Sequence, residues 1–489
     1  RRVLFRSRLT ENNPVESHTE RNDETTRKHL LGYGKVELSI IDGLKATTNL
    51  SYEYNSNQDY YYRPSYVYKV TDGGYAKRYN EEYTNKQLEV FLNYDKTFNK
   101  IHRIGAMVGY SYLDYSFETL KAERRKFDTD DFLWNNLGAG QDNRLEDVAS
   151  SKSQAKLISF FARANYTLKD RYMLTATIRR DGSSRFGTNH KWGTFPSVSA
   201  AWRISEEAFM EDLQSWVANL KLRAGYGVTG NQSGIGEYKS AMLMGTGGGA
   251  YFDSESNSWK QSYGVTQNPN PDLKWESTAQ TNVGVDMFLF NRLNLTFDWY
   301  LKKTSDLLYT YQVPNPPYLY SNILANVGDL TNKGVELTLG ANLINHKDFT
   351  WDANLTLAHN KQTIDKLSNQ VYQTDRILSG SLQGILGMSN RYSQVIEEGY
   401  PVGTFYGPHC EGIVDGKFVL ANDGEDEILG NAQPKLTMGL SFNFTYKDFD
   451  LGISGYGMYG QKVLNVAGME RGYTAHMPNY NITSSFAES

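Results

Sequence analysis

A single cysteine, Cys410, stands in the 489 residues, so no internal disulfide forms and no thiolate metal site can be built from it alone. Proline is scarce, at 12. No run approaches the ~18–20 consecutive apolar residues that a membrane-spanning helix needs, and mean hydropathy is −0.57. Neither sign of charge dominates: 51 Lys and Arg stand against 55 Asp and Glu, a net of −4. That balance gives no reason to propose a nucleic-acid partner. The eight histidines show no HExxH or other paired ligand spacing, so no zinc site is proposed. No signal peptide opens the chain. Instead Arg1 to Ser7 reads RRVLFRS, which a common sequencing adapter encodes. Residues 1–7 are therefore expected to be a translated artefact, with the protein proper in 8–489.

What the sequence has in quantity is Tyr (35), Phe (22) and Gly (43). A low average hydropathy is compatible with a membrane barrel, whose strands are apolar on one face only. Period-two alternation is the dominant pattern. Over 293–302, Leu293, Leu295, Phe297, Trp299 and Leu301 share one face, opposite Asn294, Thr296, Asp298, Tyr300 and Lys302. Segments 158–168, 334–343, 351–358 and 436–446 repeat this. Such strands read as ~9–13 residues long, against ~5–6 in soluble sheets.

The connections alternate too. Short links fall at Ile41–Gly43, Phe98–Ile101, Lys169–Arg171, Phe290–Arg292, Asn345–Asp348 and Lys447–Asp448. Between them lie 55–85, 116–154, 229–278, 304–332 and 362–433, all long. An intermediate link at 205–218 is expected to form a helical turn on the short side. The count is roughly 14 strands in an all-β, antiparallel transmembrane barrel with short periplasmic turns and long extracellular loops. Aromatics near strand ends, such as Tyr52, Tyr54, Tyr110 and Tyr112, suit either interfacial girdles or the ordinary strand preference of tyrosine.

Six segments in order then resemble the SusC/RagA-like family of TonB-dependent outer-membrane transporters. They are RDGSSRFGTNHKWGTFPSVSAAWRISEE (180–207), LKLRAGYGVTGNQSGIGEY (220–238), NPDLKWESTAQTNVGVD (270–286), NVGDLTNKGVEL (326–337), EGYPVGTFYG (398–407) and GNAQPKLTMGLSFNFTYKDFDL (430–451). The resemblance implies a barrel of about 22 strands around a plug. It implies a location in the outer membrane of a Gram-negative, Bacteroidota-like cell. Partners follow from it as well: a TonB–ExbB–ExbD complex, reached through a region N-terminal to this chain, and a SusD-like surface lipoprotein. The implied cargo is an oligosaccharide or peptide. Signal peptide, plug and terminal strands are not found, so a partial barrel is expected. A passive porin, or a secreted β-rich carbohydrate-active enzyme, is the alternative; no carboxylate pair singles itself out for the latter.

Candidate sites are few. Loop aromatics on the extracellular side, Tyr60, Tyr61, Tyr62, Tyr66, Trp259, Tyr263, Tyr318 and Tyr320, offer rings for the C–H faces of sugars. Loop packing, or contact with the lipoprotein, competes with that reading. Asp423, Glu425, Asp426 and Glu427 offer oxygen ligands for Ca²⁺ in an extracellular loop, and the resemblance points to an EF-hand-like stretch there. The D-x-D-x-D-G spacing and terminal Glu are missing, which favours a solvated loop; no other cofactor is expected. The glycine run 245–249 lacks a following Lys-Ser/Thr and reads as loop. Ser183, Asp181 and His190 lack a nucleophile elbow, and no catalytic residues are assigned.

Overall fold

A computed structural model describes residues 21–66, 73–246, 249–369, 371–385, 388–414 and 417–471. The RRVLFRS segment, the final NITSSFAES, and Gly247 and Gly248 of the glycine run lie outside them. In chain order the strands are β1 (Asn22–Ile41), β2 (Leu44–Arg63), β3 (Tyr75–Phe98), β4 (His102–Arg125), β5 (Val148–Leu168), β6 (Tyr172–Ser183), β7 (Trp192–Arg203) and β8 (Val217–Asn231). Four short strands follow: β9 (Leu243–Gly245), β10 (Ala250–Asp253), β11 (Ser258–Gln261) and β12 (Gly264–Gln267). Next come β13 (Glu276–Leu289), β14 (Leu293–Gln312), β15 (Asn322–His346) and β16 (Phe349–Lys366). Another group is β17 (Arg376–Ser381), β18 (Tyr392–Glu397), β19 (Thr404–Pro408), β20 (Cys410–Val414), β21 (Lys417–Leu420) and β22 (Asp426–Asn431). The last two are β23 (Leu436–Tyr446) and β24 (Phe449–Tyr459).

One 14-stranded antiparallel sheet contains β1–β8, β13–β16, β23 and β24, each bonded to the next in chain order. This matches the strand number read from the sequence. The short strands form separate small sheets within two connections, 232–275 and 367–435. Among the described residues no helix is long and apolar enough to cross a membrane, which says nothing about crossing by strands.

Every short link lies where the sequence placed it. Asn99 with Lys100, Lys169 with Asp170, and Phe290 with Asn291 take left-handed conformations, the backbone of tight hairpins. Gly43 has φ +84°, and a Cβ there would meet the Asp95 carbonyl oxygen at 2.7 Å, so glycine is required. The link between β7 and β8 forms 3₁₀ turns over Ile204–Glu206 and Ala208–Leu213, as expected.

Strand length departs from expectation. β3 and β4 have 24 residues each and β15 has 25, not ~9–13. These ladders continue into 55–85, 116–154 and 304–332, which read as loops. Above the apolar band a stretch such as 77–82 carries charged residues on both faces, so the alternation fades there while backbone pairing persists. Over 322–327, Ile323, Ala325 and Val327 still alternate but are buried beside Tyr311.

Register fixes the two faces. An apolar row runs Ile104, Tyr166, Leu174, Ala200, Ala224, Val283, Trp299 and Val335 across eight neighbouring strands. The adjacent row on the other face is polar and small: Asp95, Gly105, Asn165, Thr175, Ser199, Gly225, Asn282, Tyr300, Gly334 and Asn360. The apolar face leaves large side chains open, among them Val108 at 54% and Phe160 at 51%. In water such a continuous surface is unfavourable at roughly 25 cal/mol per Å²; in lipid it is the required exterior. On β3 this band spans Leu88 to Phe98, interrupted near its short-turn end by Lys96, which reaches Asp42 at 3.4 Å. At ~3.3 Å per residue and ~45° tilt the span gives about 25 Å of height. A polar row, Lys86, Asp114 and Lys156, closes it at the long-loop side.

Candidate functional site: an inner wall above the membrane band

The ladders joining β2, β3, β4 and β5 contain no register shift. Face assignment therefore carries upward from the apolar band, residue by residue. It splits the tyrosine run. Tyr61 lies on the polar, inward face with Asn57, Asp59 and Arg63, whereas Tyr60 and Tyr62 share the outward face with Leu50.

Both outward rings serve packing. Tyr62 is fully buried, pairs edge-on with Phe127 at 5.9 Å and donates to Asp130 Oδ1 at 2.6 Å. Burial and the Asp130 carboxylate push its phenol well above the usual range. Tyr60 stacks on Trp134 at 5.8 Å, with Arg78 over it at 4.8 Å. Both hold the 126–147 connection against the strands, which is the loop-packing alternative. Tyr66 and Tyr263 are exposed, at 65% and 73%. Trp259 packs on Phe252 at 5.6 Å across the β10–β11 hairpin. Tyr318 packs on the buried set Tyr311, Ile323, Ala325 and Val327. Tyr320 gives its backbone to Asn268, donating N–H to Oδ1 at 3.1 Å and accepting from Nδ2 at 2.5 Å.

Inward, above the band, the wall carries Glu53, Asn55, Asn57 and Asp59 on β2, then Tyr79, Glu81 and Tyr83 on β3, and Tyr115 and Phe117 on β4. Tyr83 and Tyr115 pair edge-on at 5.1 Å, and Arg185 lies over Tyr115 at 5.9 Å. Tyr79 donates to Glu81 Oε1 at 2.7 Å; that bond, then burial, pushes its phenol up to about 12. Burial raises the Tyr83 and Tyr115 phenols too, reinforced by Glu53 and Glu237 respectively. All three are hydroxyl donors at neutral pH, among carboxylates and amides that accept. Such a surface bonds polyhydroxylic or amide-rich solutes while offering apolar ring faces. Sequence reading missed Tyr79 and Tyr83 because they sit on an extension of β3 that read as the loop 55–85, and Tyr115 because it stands one residue before the loop read at 116–154. The ladder, and not the alternation, places all three on one face.

The six resembling segments are joints between loop bases. β7 pairs with β8 only up to Ser197–Gly227, although β8 continues to Asn231. Above that point lie Phe186, Phe195, Ile235, Leu273 and Trp275, all buried. The Phe186 and Trp275 rings are 4.5 Å apart, and Trp275 Nε1 donates to the Lys191 carbonyl at 3.1 Å. Gly187 leaves no room for a Cβ, which would lie 1.9 Å from the Pro271 carbonyl oxygen. Asn326 Nδ2 donates to the Lys274 carbonyl at 2.8 Å and its Oδ1 accepts from Lys274 N at 2.9 Å. Gly399 N–H donates to the Ile364 carbonyl at 2.8 Å, and Gln433 Nε2 to Gln362 at 2.7 Å.

The acidic stretch is not gathered around one point. Asp426 faces Arg391 Nη1 at 3.3 Å, while Glu427 meets His409 Nδ1 at 2.8 Å and Asn422 Nδ2 at 2.6 Å. Neighbours on β22 point to opposite faces, which separates these two carboxylates. Asp423 sits ahead of Glu425 in a tight turn where it and Asn422 both take left-handed backbone angles. Among the described residues no three of His, Cys, Asp and Glu are arranged to hold a metal ion. Ser183 donates to Gln232 at 2.7 Å, Asp181 accepts from Arg179 at 2.8 Å, and His190 faces Asp272 at 3.9 Å, so these three make no relay.

Comparison with known proteins agrees with this geometry. The family model described as TonB dependent receptor-like, beta-barrel matches residues 3–483. TonB-dependent receptor P3 of Formosa agariphila is 31% identical over 485 residues, covering 94% of this chain and 46% of that protein. SusC of Bacteroides thetaiotaomicron is 33% identical over 334 residues, covering 64% of this chain and 32% of that protein. In three dimensions the RagAB peptide importer in its closed-closed state superposes with a TM-score of 0.78 at 24% identity, over 91% of this chain and 49% of that one. The chain thus spans about half the length or less of the relatives it matches. With an apolar exterior band, a polar inner face and this match along almost its whole length, the chain belongs to the TonB-dependent receptor β-barrel family.

Proposed function

We propose that the protein containing this barrel wall takes up oligosaccharides or peptides across the outer membrane, drawing energy from a TonB–ExbB–ExbD complex and working with a SusD-like surface lipoprotein. The observation that carries this reading is the two-faced ladder: one unbroken register sets lipid-facing Leu88 to Phe98 below and an inward wall of Tyr79, Tyr83 and Tyr115 above. A solute held there is surrounded by donors, acceptors and rings, as a recognition surface requires. A peptide importer as a structural neighbour fits the peptide class of cargo, and SusC as a relative fits a TonB-dependent receptor.

Uptake of a fluorescent oligosaccharide or peptide by cells carrying the full gene tests it. Uptake stops when the proton-motive force is collapsed; continued passage would mean a passive pore instead. Within the wall, Tyr83→Ala and Tyr115→Ala each weaken solute binding about tenfold, equivalent to about 1.4 kcal/mol. Tyr60→Ala, on the outward face, leaves binding unchanged. Calorimetry on the purified receptor separates these, and equal effects at Tyr60 and Tyr83 would remove the wall as the site.

A further inference from the structure

The lipid-facing band is not uniform. Its large side chains give way at Ala200 and Ala224, which are paired neighbours in one outward row. Over them opens a trough of about 490 Å³, bounded by Tyr166, Trp202, Leu222 and Val283. One wall is braced. Tyr172 and Trp202 stack at 6.3 Å, and both donate to Glu207 Oε1, the hydroxyl at 2.5 Å and Nε1 at 3.0 Å. Arg171 Nη1 holds the other oxygen of Glu207 at 3.2 Å. Phenol and indole thereby keep fixed positions instead of rotating to fill the space.

Its location sets the occupant. The trough lies at the short-turn end of the band, beside the turn at 169–171 and the 3₁₀ connection that follows β7. That connection exposes Phe209 at 67% and Trp216 at 63%, apolar surface of the kind that sits at a membrane interface. Short turns mark the periplasmic side, where the outer membrane presents phospholipid. A concave, almost wholly apolar surface continuous with the lipid-facing band takes an acyl chain, because the hydrocarbon layer around it consists of such chains. A fixed concave wall gains van der Waals contact with one of them that a flat wall does not.

We infer that this trough is a specific seat for one acyl chain of a periplasmic-leaflet phospholipid, with the Tyr172–Trp202–Glu207 brace as its rigid wall. The inference requires only that the barrel stands in a membrane and is independent of the solute imported. Native mass spectrometry of the full-length receptor, titrated with phosphatidylethanolamine after release from detergent, reads it directly. The wild-type protein keeps a lipid-bound peak at collision energies that strip unspecific adducts. Ala200→Phe fills the trough and loses that peak. Val108→Phe, on the same outward face but away from the trough, retains it and shows that an added ring on the barrel exterior is tolerated. A peak that survives in Ala200→Phe overturns the proposal, as does its loss in both variants or its absence from the wild type. Uptake assays on the same proteins report separately on transport, so the failure of one reading is distinguishable from failure of the other.

Discussion

Replacing Trp275 by alanine is expected to cost about 3–5 kcal/mol, the range for removing a large aromatic from a packed core. Trp275 is 7% exposed, and its ring touches Phe186 at 4.5 Å and Phe195 at 5.5 Å. Its indole N–H also satisfies the Lys191 carbonyl, which would be left without that donor. The loss falls where β7 and β8 part, so the break is local. The 232–275 connection loses its anchor at Leu273 and Ile235, while the band below keeps its ladder. Limited proteolysis of the receptor in detergent reads this as rapid cleavage within 232–275 with the barrel fragment surviving. Trp275→Phe keeps the packing and loses only the hydrogen bond, so its loops resist cleavage far better. Equal protease resistance of Trp275→Ala and wild type would mean that this cluster is not what holds the loop bases.

Asp147→Ala is expected to be the second most damaging change. The carboxylate is 2% exposed and takes Arg125 Nη1 at 2.7 Å, Arg124 Nη1 at 3.2 Å and the Arg144 amide at 2.8 Å. Removing it leaves two guanidinium groups without their buried partner, a change that typically costs about 3–5 kcal/mol. The same cluster predicts a pH dependence. Burial pushes the Asp147 carboxyl upward, but the Arg144 amide and the Arg125 and Arg124 charges outweigh it and hold it below the usual range. A carboxylate depressed in the folded state contributes stability above its unfolded pKa of ~3.9. That contribution drains away as pH falls through the folded value. Protease susceptibility of 126–147 is therefore flat from neutral pH down to about pH 4, then rises in wild type. Asp147→Asn is susceptible throughout and shows no such step; a step of the same size in that variant would assign the effect elsewhere.

Much of the fold is legible in residues alone. Leu293, Leu295, Phe297, Trp299 and Leu301 face one way because strand geometry has a period of two, and that needs no tertiary information. Turn positions are equally local, since Asn99–Lys100 or Gly43 set the backbone of a hairpin within a few residues. Alternating short and long links then give the strand number and the side of the membrane on which loops gather.

Three features required the assembled sheet. Whether Tyr60, Tyr61 or Tyr62 faces inward depends on a ladder carried without slippage from Leu44–Tyr94 to Arg63–Tyr75, and a one-residue bulge anywhere along it would reverse the answer. Strand ends were hidden where charged residues occupy both faces above the band, as over 77–82 of β3, so side chains there stop reporting a strand that backbone hydrogen bonds continue to hold. The joints Phe186–Trp275 and Asn326–Lys274 unite residues 89 and 52 positions apart in sequence. Periodicity is a property of neighbours along the chain; which distant loops close on one another, and so which rings remain free for a solute, is fixed only when the strands have paired.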